Sequence, residues 1–305
     1  TRDHLDYHGS FENYAAAKSL LFDRSELKIA IINLDDAFGE TLIQRLLARK
    51  EIKVIGYSLL HKTHPAIPVI FADQIRHLVA GTQFQVSSPF GQGNIKTKMI
   101  GEFNVSNVLG VLGVLLANGV AWQTAAETVS LLEPVAGRMQ QLGSPNQVMV
   151  VIDYAHTPDA LEKTLTTLMA VSQERRGALW CVFGCGGDRD PGKRPQMGHI
   201  AELAQHVVVT SDNPRNENAG EIIRQIIAGM KTSPQVIEDR ANAILYAIKH
   251  ANAQDIVLIA GKGHEDYQEI NGKKWPFSDR SHAELALAAI AVSGGHASLA
   301  ARGEN

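Results

Sequence analysis

Residues 206–217, HVVVTSDNPRNE, decide the fold. The apolar run His206–Val209 reads as a buried strand, and an amphipathic helix follows from about Glu217. Asp212, Asn213 and Arg215 then sit in a loop at the carboxyl end of a strand, where open α/β sheets bind ligands. An acid, an amide and a guanidinium held by the rigid Pro214 suit a zwitterionic ligand. The guanidinium can grip a carboxylate with two parallel hydrogen bonds, and Asp212 and Asn213 can accept from an ammonium. Taken alone, the same residues read first as an ordinary turn that caps the next helix.

The neighbouring segments tip that balance. From Gln147 onward, strands are predicted at 147–152, 178–183, 206–210, 235–238 and 255–260. Helices are predicted at about 158–174, 195–204, 217–230, 240–251 and 280–293, with a small, polar tail from Gly294 expected to fray. This alternation implies a mostly parallel sheet with helices on both faces. Three more of its strands end in unusual clusters, namely 153–158 DYAHTP, 184–190 GCGGDRD and 261–265 GKGHE. In a parallel sheet these ends share one edge, so the clusters converge. Each also has a plain structural explanation. Asp153 is a helix cap, the glycines a tight turn, His156 and His264 surface imidazoles, and Lys262–Glu265 a solvated pair of little energetic consequence.

Upstream, Ser10 caps a helix over 11–22. A strand (28–34), a helix (40–50) and a strand (52–58) follow. Strands 83–88 and 94–99 pair around a Pro-Gly turn, and helices cover roughly 104–118 and 121–132. The stretch 134–138, PVAGR, breaks the pattern and sets a domain boundary between 1–136 and 137–305. Asn104 and Asn107 lie three apart at a helix start, as caps or as contacts to a nucleotide base. Arg138 lies beside Gly137 at the boundary. Asp3, His4, Asp6 and His8 suggest a metal or merely a polar helix approach, and Lys18 reads as a solvated cation.

The chain has 305 residues, enough for about two domains at roughly 150 each, with 45% hydrophobic and 20% charged residues. A net charge of -3 carries no footprint for nucleic acid or an anionic membrane. No apolar run reaches the roughly 18 residues of a membrane span. The two cysteines, Cys181 and Cys185, fit no zinc spacing and point to a reducing cytoplasm. The chain opens on Thr1 without the apolar core of a signal peptide, and an upstream portion of the same protein is expected.

Taken in order, TRDHLDYHG, YAAAK, GEFNVSN, PVAGRM, VIDYAHTPDALEK, VFGCGGDRDPGKRPQMG, DNPRNE, AGKGHEDYQ and SDR resemble the Mur ligase family, and within it the diaminopimelate-adding type. The resemblance runs from Thr1 to Arg280. It implies the carboxyl-terminal half of a central ATPase domain followed by a Rossmann-like, doubly wound amino-acid-binding domain. It also implies a cytoplasmic ligase of peptidoglycan synthesis that uses ATP and Mg2+. Such an enzyme phosphorylates the D-glutamate carboxylate of a UDP-muramoyl dipeptide, and the amine of meso-diaminopimelate attacks the acyl phosphate.

By motif, Arg189, Asp212, Asn213, Pro214, Arg215, Gly261 and Glu265 would hold diaminopimelate. Arg215 would take a carboxylate and Glu265 would face the distal ammonium. Asn107 would touch adenine, Asp153 the ribose and Arg138 the phosphates, with Asn104 and His156 nearby. His4 and a carbamylated Lys18 would contact magnesium. The chain departs from the family in lacking a Gly-x-x-x-x-Gly-Lys-Ser/Thr loop and a UDP-binding domain, and Gln140 stands where relatives often carry Glu. The isolated chain is therefore expected not to turn over. A related folylpolyglutamate synthetase type of enzyme, or a diaminopimelate-binding module without catalysis, are the alternatives.

Overall fold

The computed structural model describes residues 10–78, 81–144 and 147–300. The chain divides into two compact units, Thr1–Glu133 and Pro134–Asn305.

In the first unit, Ser10 accepts a hydrogen bond from the Asn13 amide (3.2 Å) and starts α1, Phe11–Ser19. A five-stranded sheet follows: β1 Ile29–Asn33, β2 Lys53–Ser58, β3 Val69–Leu78, β4 Gly81–Ser88 and β5 Gly91–Thr97, in that spatial order. The first three are mutually parallel and the last three form an antiparallel meander. The sequence pattern misses β3 because a bulge between Asp73 and Arg76, with Gln74 at φ 48°, breaks its alternation. Helix α2, Ala37–Leu47, buries Leu42, Ile43 and Leu46 with Ala30, Ile32 and Val54. Helices α3, Glu102–Ala117, and α4, Trp122–Ser130, pack Val105, Leu109, Leu112, Ala125 and Val129 with Ile55, Ile70, Phe84 and Val86 in a second core.

The second unit holds a six-stranded sheet of order β10-β9-β8-β11-β7-β6. The strands are β6 Gln140–Leu142, β7 Met149–Asp153, β8 Leu179–Phe183, β9 His206–Val209, β10 Gln235–Val236 and β11 Ile256–Ala260. All but β6, an antiparallel edge strand, run parallel. Every residue of β7, β8 and β11 is buried, as expected of a parallel sheet covered on both faces. Helices α5 Pro158–Arg175, α6 Lys193–Ala201 and α7 Ala219–Ile227 pack in series. Helices α8 Arg240–His250 and α9 Asp279–Ala300 pack together, with Ala243, Ile244, Ala247, Ala283 and Leu287 against Val150, Val182 and Ile259. Thr157, Asn218 and Asp239 cap α5, α7 and α8 with side-chain oxygens, and Pro158 occupies the first turn of α5.

Helix α9 continues through Gly294 to Ala300 rather than stopping near residue 293. A hairpin that the sequence reading lacks, β12 Tyr267–Ile270 and β13 Lys273–Pro276, follows the β11 loop. No helix among the described residues is long and apolar enough to cross a membrane.

Candidate functional site

The parallel register of β7, β11, β8 and β9 brings the loops after Asp153, Ala260, Phe183 and Val209 to one edge of the second unit. They are bound to one another. The amide of Gly187 donates to Asn213 O (2.9 Å), and Arg215 Nη1 donates to Gly187 O (2.8 Å). A Cβ on Gly187 would lie 1.9 Å from Pro214 O, so only glycine permits this approach. Gly261 adopts φ 117°, and its amide donates to Asp153 O (3.1 Å).

The DNPR loop is held from beneath and from the side. Asp212 and Asn213 are buried. Asp212 Oδ1 accepts from the Asn213 amide (2.7 Å). Asn213 Oδ1 accepts from Lys262 Nζ (2.8 Å) and from the Glu269 amide (2.9 Å), and Asn213 Nδ2 donates to Glu265 Oε2 (2.8 Å). The amide oxygen of Asn213 is thus already engaged by the Lys262 ammonium and a backbone amide, and its nitrogen is turned to Glu265. Arg215 sits in the left-handed region at φ 52°. The hairpin holds it there: Arg215 N donates to Glu269 O (3.0 Å), Asn271 N donates to Arg215 O (2.7 Å), and Arg215 Nε lies 3.4 Å from Glu269 Oε2. Gln268 Nε2 donates to Ser211 Oγ (2.9 Å) and Asp212 O (2.7 Å). Arg189 is exposed beside the same glycine loop, where a Cβ on Gly186 would meet Arg215 Nη1 at 2.9 Å and Arg189 Cγ at 3.8 Å. Two cations therefore flank one loop, with the Glu265 carboxylate on the next.

Two buried arginines that the sequence reading passes over lock this arrangement. Arg194 donates two bonds to Glu217 (2.8 and 2.9 Å), one to Gln225 (2.7 Å) and one to Gly186 O (3.2 Å). The bonds from Arg194 hold the Glu217 carboxyl below its usual range. Arg240, 1% exposed, forms a bidentate pair with the fully buried Asp279 (2.7 and 2.8 Å). It also donates to Ala260 O (3.0 Å) and Ser211 O (3.3 Å). Burial alone would lower the pKa of Arg240, but Asp279, together with Asp212 and Glu265, more than offsets it and the net shift is upward. The hints in the sequence were Glu217, at the end of DNPRNE, and Asp279, in SDR.

Asp153 is not the cap of α5, since Thr157 fills that place. Its buried carboxylate accepts from the amides of Met139 (2.8 Å) and Ala155 (2.9 Å) and from Thr164 Oγ1 (3.3 Å). Burial raises its pKa, and those two amides and Arg138 counter this only in part. Tyr154 forms a platform: the Arg138 guanidinium lies 4.8 Å from its ring centroid, His156 meets it edge-on at 4.6 Å, and His264 lies at 5.8 Å. Gly137 passes so close to the β11 loop that a Cβ would sit 2.2 Å from the His264 amide. A cationic, aromatic, partly exposed surface next to a carboxylate suits a nucleotide's phosphates and ribose.

In the first unit, Asn104 is buried and donates to Ile100 O (2.8 Å), so it is not a side-chain cap. Its oxygen receives Asn107 Nδ2 (3.3 Å), which leaves the exposed Asn107 oriented by its neighbour. Lys18 is exposed on α1, its Nζ 5.4 Å from the Tyr14 ring. His4, and with it Asp3, Asp6 and His8, lies outside the described residues. Among the described residues no three His, Cys, Asp or Glu side chains come together as a metal site. Cys181 and Cys185 are buried, and burial pushes both thiols up to about 12.

The family model for the Mur ligase middle domain matches residues 1–115, and that for the Mur ligase glutamate ligase domain matches residues 137–263. A UDP-N-acetylmuramoyl-L-alanyl-D-glutamate–2,6-diaminopimelate ligase of Janthinobacterium sp. (strain Marseille) is 56% identical over 298 residues, covering 96% of this chain and 59% of that protein. The enzyme of the same name from Ralstonia nicotianae is 51% identical over 300 residues, with 96% and 58% covered. A solved structure of a ligase of that name aligns with a TM-score of 0.67 at 40% identity, over 95% of this chain and 58% of the other. The chain therefore spans less than three fifths of the length of these relatives.

Proposed function

The chain belongs to the Mur ligase family, and from that premise we propose that it is the amino-acid-selecting part of a ligase that adds meso-2,6-diaminopimelate to UDP-muramoyl-L-alanyl-D-glutamate. The observation that carries this reading is the single edge at which Arg189 and Arg215 flank one glycine loop while Glu265 is aimed from the next. A diamino-diacid presents both charges at its far end. The guanidinium of Arg215 receives the carboxylate, with Arg189 beside it, and Glu265 faces the ammonium. Asp212, Asn213, Pro214 and Gly261 shape and hold that end.

In the whole protein, the D-glutamate carboxylate attacks the terminal phosphate of ATP, giving an acyl phosphate and ADP. The amine of diaminopimelate then attacks the acyl carbon, the new C–N bond forms, phosphate departs and the amine loses a proton. Catalysis of this kind rests on positioning and on neutralising phosphoryl charge. Arg138 and Tyr154 would meet the nucleotide phosphates, Asp153 and His156 the ribose side, and Asn107, set by Asn104, the base. Magnesium, when bound, neutralises phosphate charge, and His4 and Lys18 carried as a carbamate are the residues we assign to it. Lys18 is exposed enough for its amine to accept carbon dioxide. The reaction belongs to the cytoplasm, where the nucleotide substrates are, and two buried, unpaired cysteines suit that compartment.

The test is ADP formation by the protein expressed from its complete reading frame, with MgATP, UDP-muramoyl dipeptide and either meso-diaminopimelate or L-lysine. Diaminopimelate supports turnover and lysine does not, and Arg215→Met abolishes the preference. Equal rates with lysine would overturn the reading. The 305-residue chain alone, which carries no Gly-x-x-x-x-Gly-Lys-Ser/Thr loop, releases no ADP under the same conditions.

A further inference from the structure

Lys262 is a charged side chain with 0% exposure, three residues before Glu265. A solvated surface pair would leave both partners in water, whereas here the ammonium has been stripped of its water and given protein partners. Nζ donates to Asn213 Oδ1 at 2.8 Å and lies 3.2 Å from Glu265 Oε2, with the Tyr267 ring centroid at 5.6 Å. Two donors, Lys262 Nζ and the Glu269 amide, converge on one terminal atom of Asn213. That atom must be the amide oxygen, because an ammonium and a peptide N–H can only donate. The nitrogen is thereby turned to Glu265 Oε2 at 2.8 Å. Oε2 then carries both the Asn213 and the Lys262 contacts, while Oε1 accepts no hydrogen bond from any described residue.

We propose that Lys262 is a positioning residue of the amino-acid site, acting through Asn213 and Glu265 so that Glu265 presents a single oxygen, Oε1, to the substrate's distal ammonium. This rests on the reading of Glu265 as the ammonium's partner. Lys262 itself touches no substrate. Without it, Asn213 Oδ1 keeps only the Glu269 amide as a donor, and the Asn213 side chain is held less firmly against turning over. Glu265 Oε2 then loses its cation and, on that turn, its amide donor as well. Removing a charged donor from a buried acceptor has a large effect because nothing replaces it.

The experiment is steady-state kinetics of the complete protein, with KM for meso-diaminopimelate and for ATP measured separately, in Lys262→Met, Lys262→Gln, Glu265→Gln and the double variant Lys262→Met/Glu265→Gln. Lys262→Met should raise the diaminopimelate KM by about tenfold or more, with kcat and the ATP KM changed by less than about threefold. Lys262→Gln, which keeps a donor but not the charge, should raise it less. The double variant should be no worse than Glu265→Gln, because both changes remove the same contact.

Additive effects in the double variant, or a fall in kcat with a parallel rise in the ATP KM, would mark Lys262 as a general packing residue and overturn the proposal. So would an unchanged diaminopimelate KM in Lys262→Met alongside a raised one in Glu265→Gln. An unchanged KM in Glu265→Gln removes the reading of Glu265 and the inference with it. If Lys262→Met fails to fold, Lys262→Gln carries the same comparison with Glu265→Gln.

Discussion

Gly187→Ala tests how the site is assembled. The added Cβ would fall 1.9 Å from Pro214 O, 2.7 Å from Pro214 C and 3.3 Å from Glu217 Cβ. A carbon approaches a carbonyl oxygen to about 3.3 Å, so the two loops must part by about 1.4 Å. The obstacle is backbone and cannot swing away. Parting the loops breaks the bond from Gly187 N to Asn213 O (2.9 Å) and the bond from Arg215 Nη1 to Gly187 O (2.8 Å). One neutral and one charged hydrogen bond together contribute about 2–4 kcal/mol, less whatever the loops regain by relaxing. The functional effect is larger than the loss of stability suggests, since Arg215 moves with its loop and a misplacement of about 1 Å costs about 100-fold in a positioned reaction. The assay is the diaminopimelate KM and kcat of the complete protein, with the midpoint of thermal unfolding alongside. Gly110→Ala is the control, because the nearest atoms its Cβ meets belong to the Tyr57 side chain at 3.7 Å, an ordinary contact. A Gly187→Ala protein with unchanged diaminopimelate kinetics would refute the view that this glycine contact sets the position of Arg215.

Further outcomes follow from the buried charges and thiols. Arg240→Met strands the fully buried Asp279 and should cost about 3–5 kcal/mol in urea unfolding, while Arg240→Met/Asp279→Leu recovers most of the loss; a double variant as unstable as the sum of its parts would sink this. Because burial raises the pKa of Asp153, its folded form holds a proton that the unfolded chain releases near 3.8. Its contribution to stability is present below that value and is lost as pH rises through the higher folded pKa. The wild type should therefore lose stability relative to Asp153→Asn over that rise, and parallel stability–pH curves would contradict it. Cys181 and Cys185, pushed up to about 12 by burial, should resist a thiol reagent at pH 8 in the folded protein and react only in denaturant, as a reagent titration would show.

Much of the second unit was legible in the chain because its signals are local. The apolar runs of β7, β8 and β11 and the clusters after the strands are each contained within a few residues, whereas the caps Thr157, Asn218 and Asp239 came only with the structure. Parallel alternation then obliges the strand ends to share an edge, so the clusters that carry Arg215 and Glu265 could be brought together on paper, while the separate roles of the two residues came from the family resemblance. What the chain could not disclose depends on distant neighbours. Strand β3 is hidden by its bulge, and β6 is an antiparallel edge strand of three residues. The hairpin after Asp266 reads as a loop because its second strand, Lys273–Pro276, is exposed throughout and shows no buried–exposed alternation. Lys262 looks like a surface cation in the sequence, yet it is fully buried, and its ammonium is bound to Asn213, 49 residues earlier. Arg240 finds Asp279 across 39 residues. Secondary structure and strand-end chemistry follow from short-range periodicity and capping. Burial, and with it which charges hold the strand-end loops together, is settled only when separate segments exclude water from the same atoms.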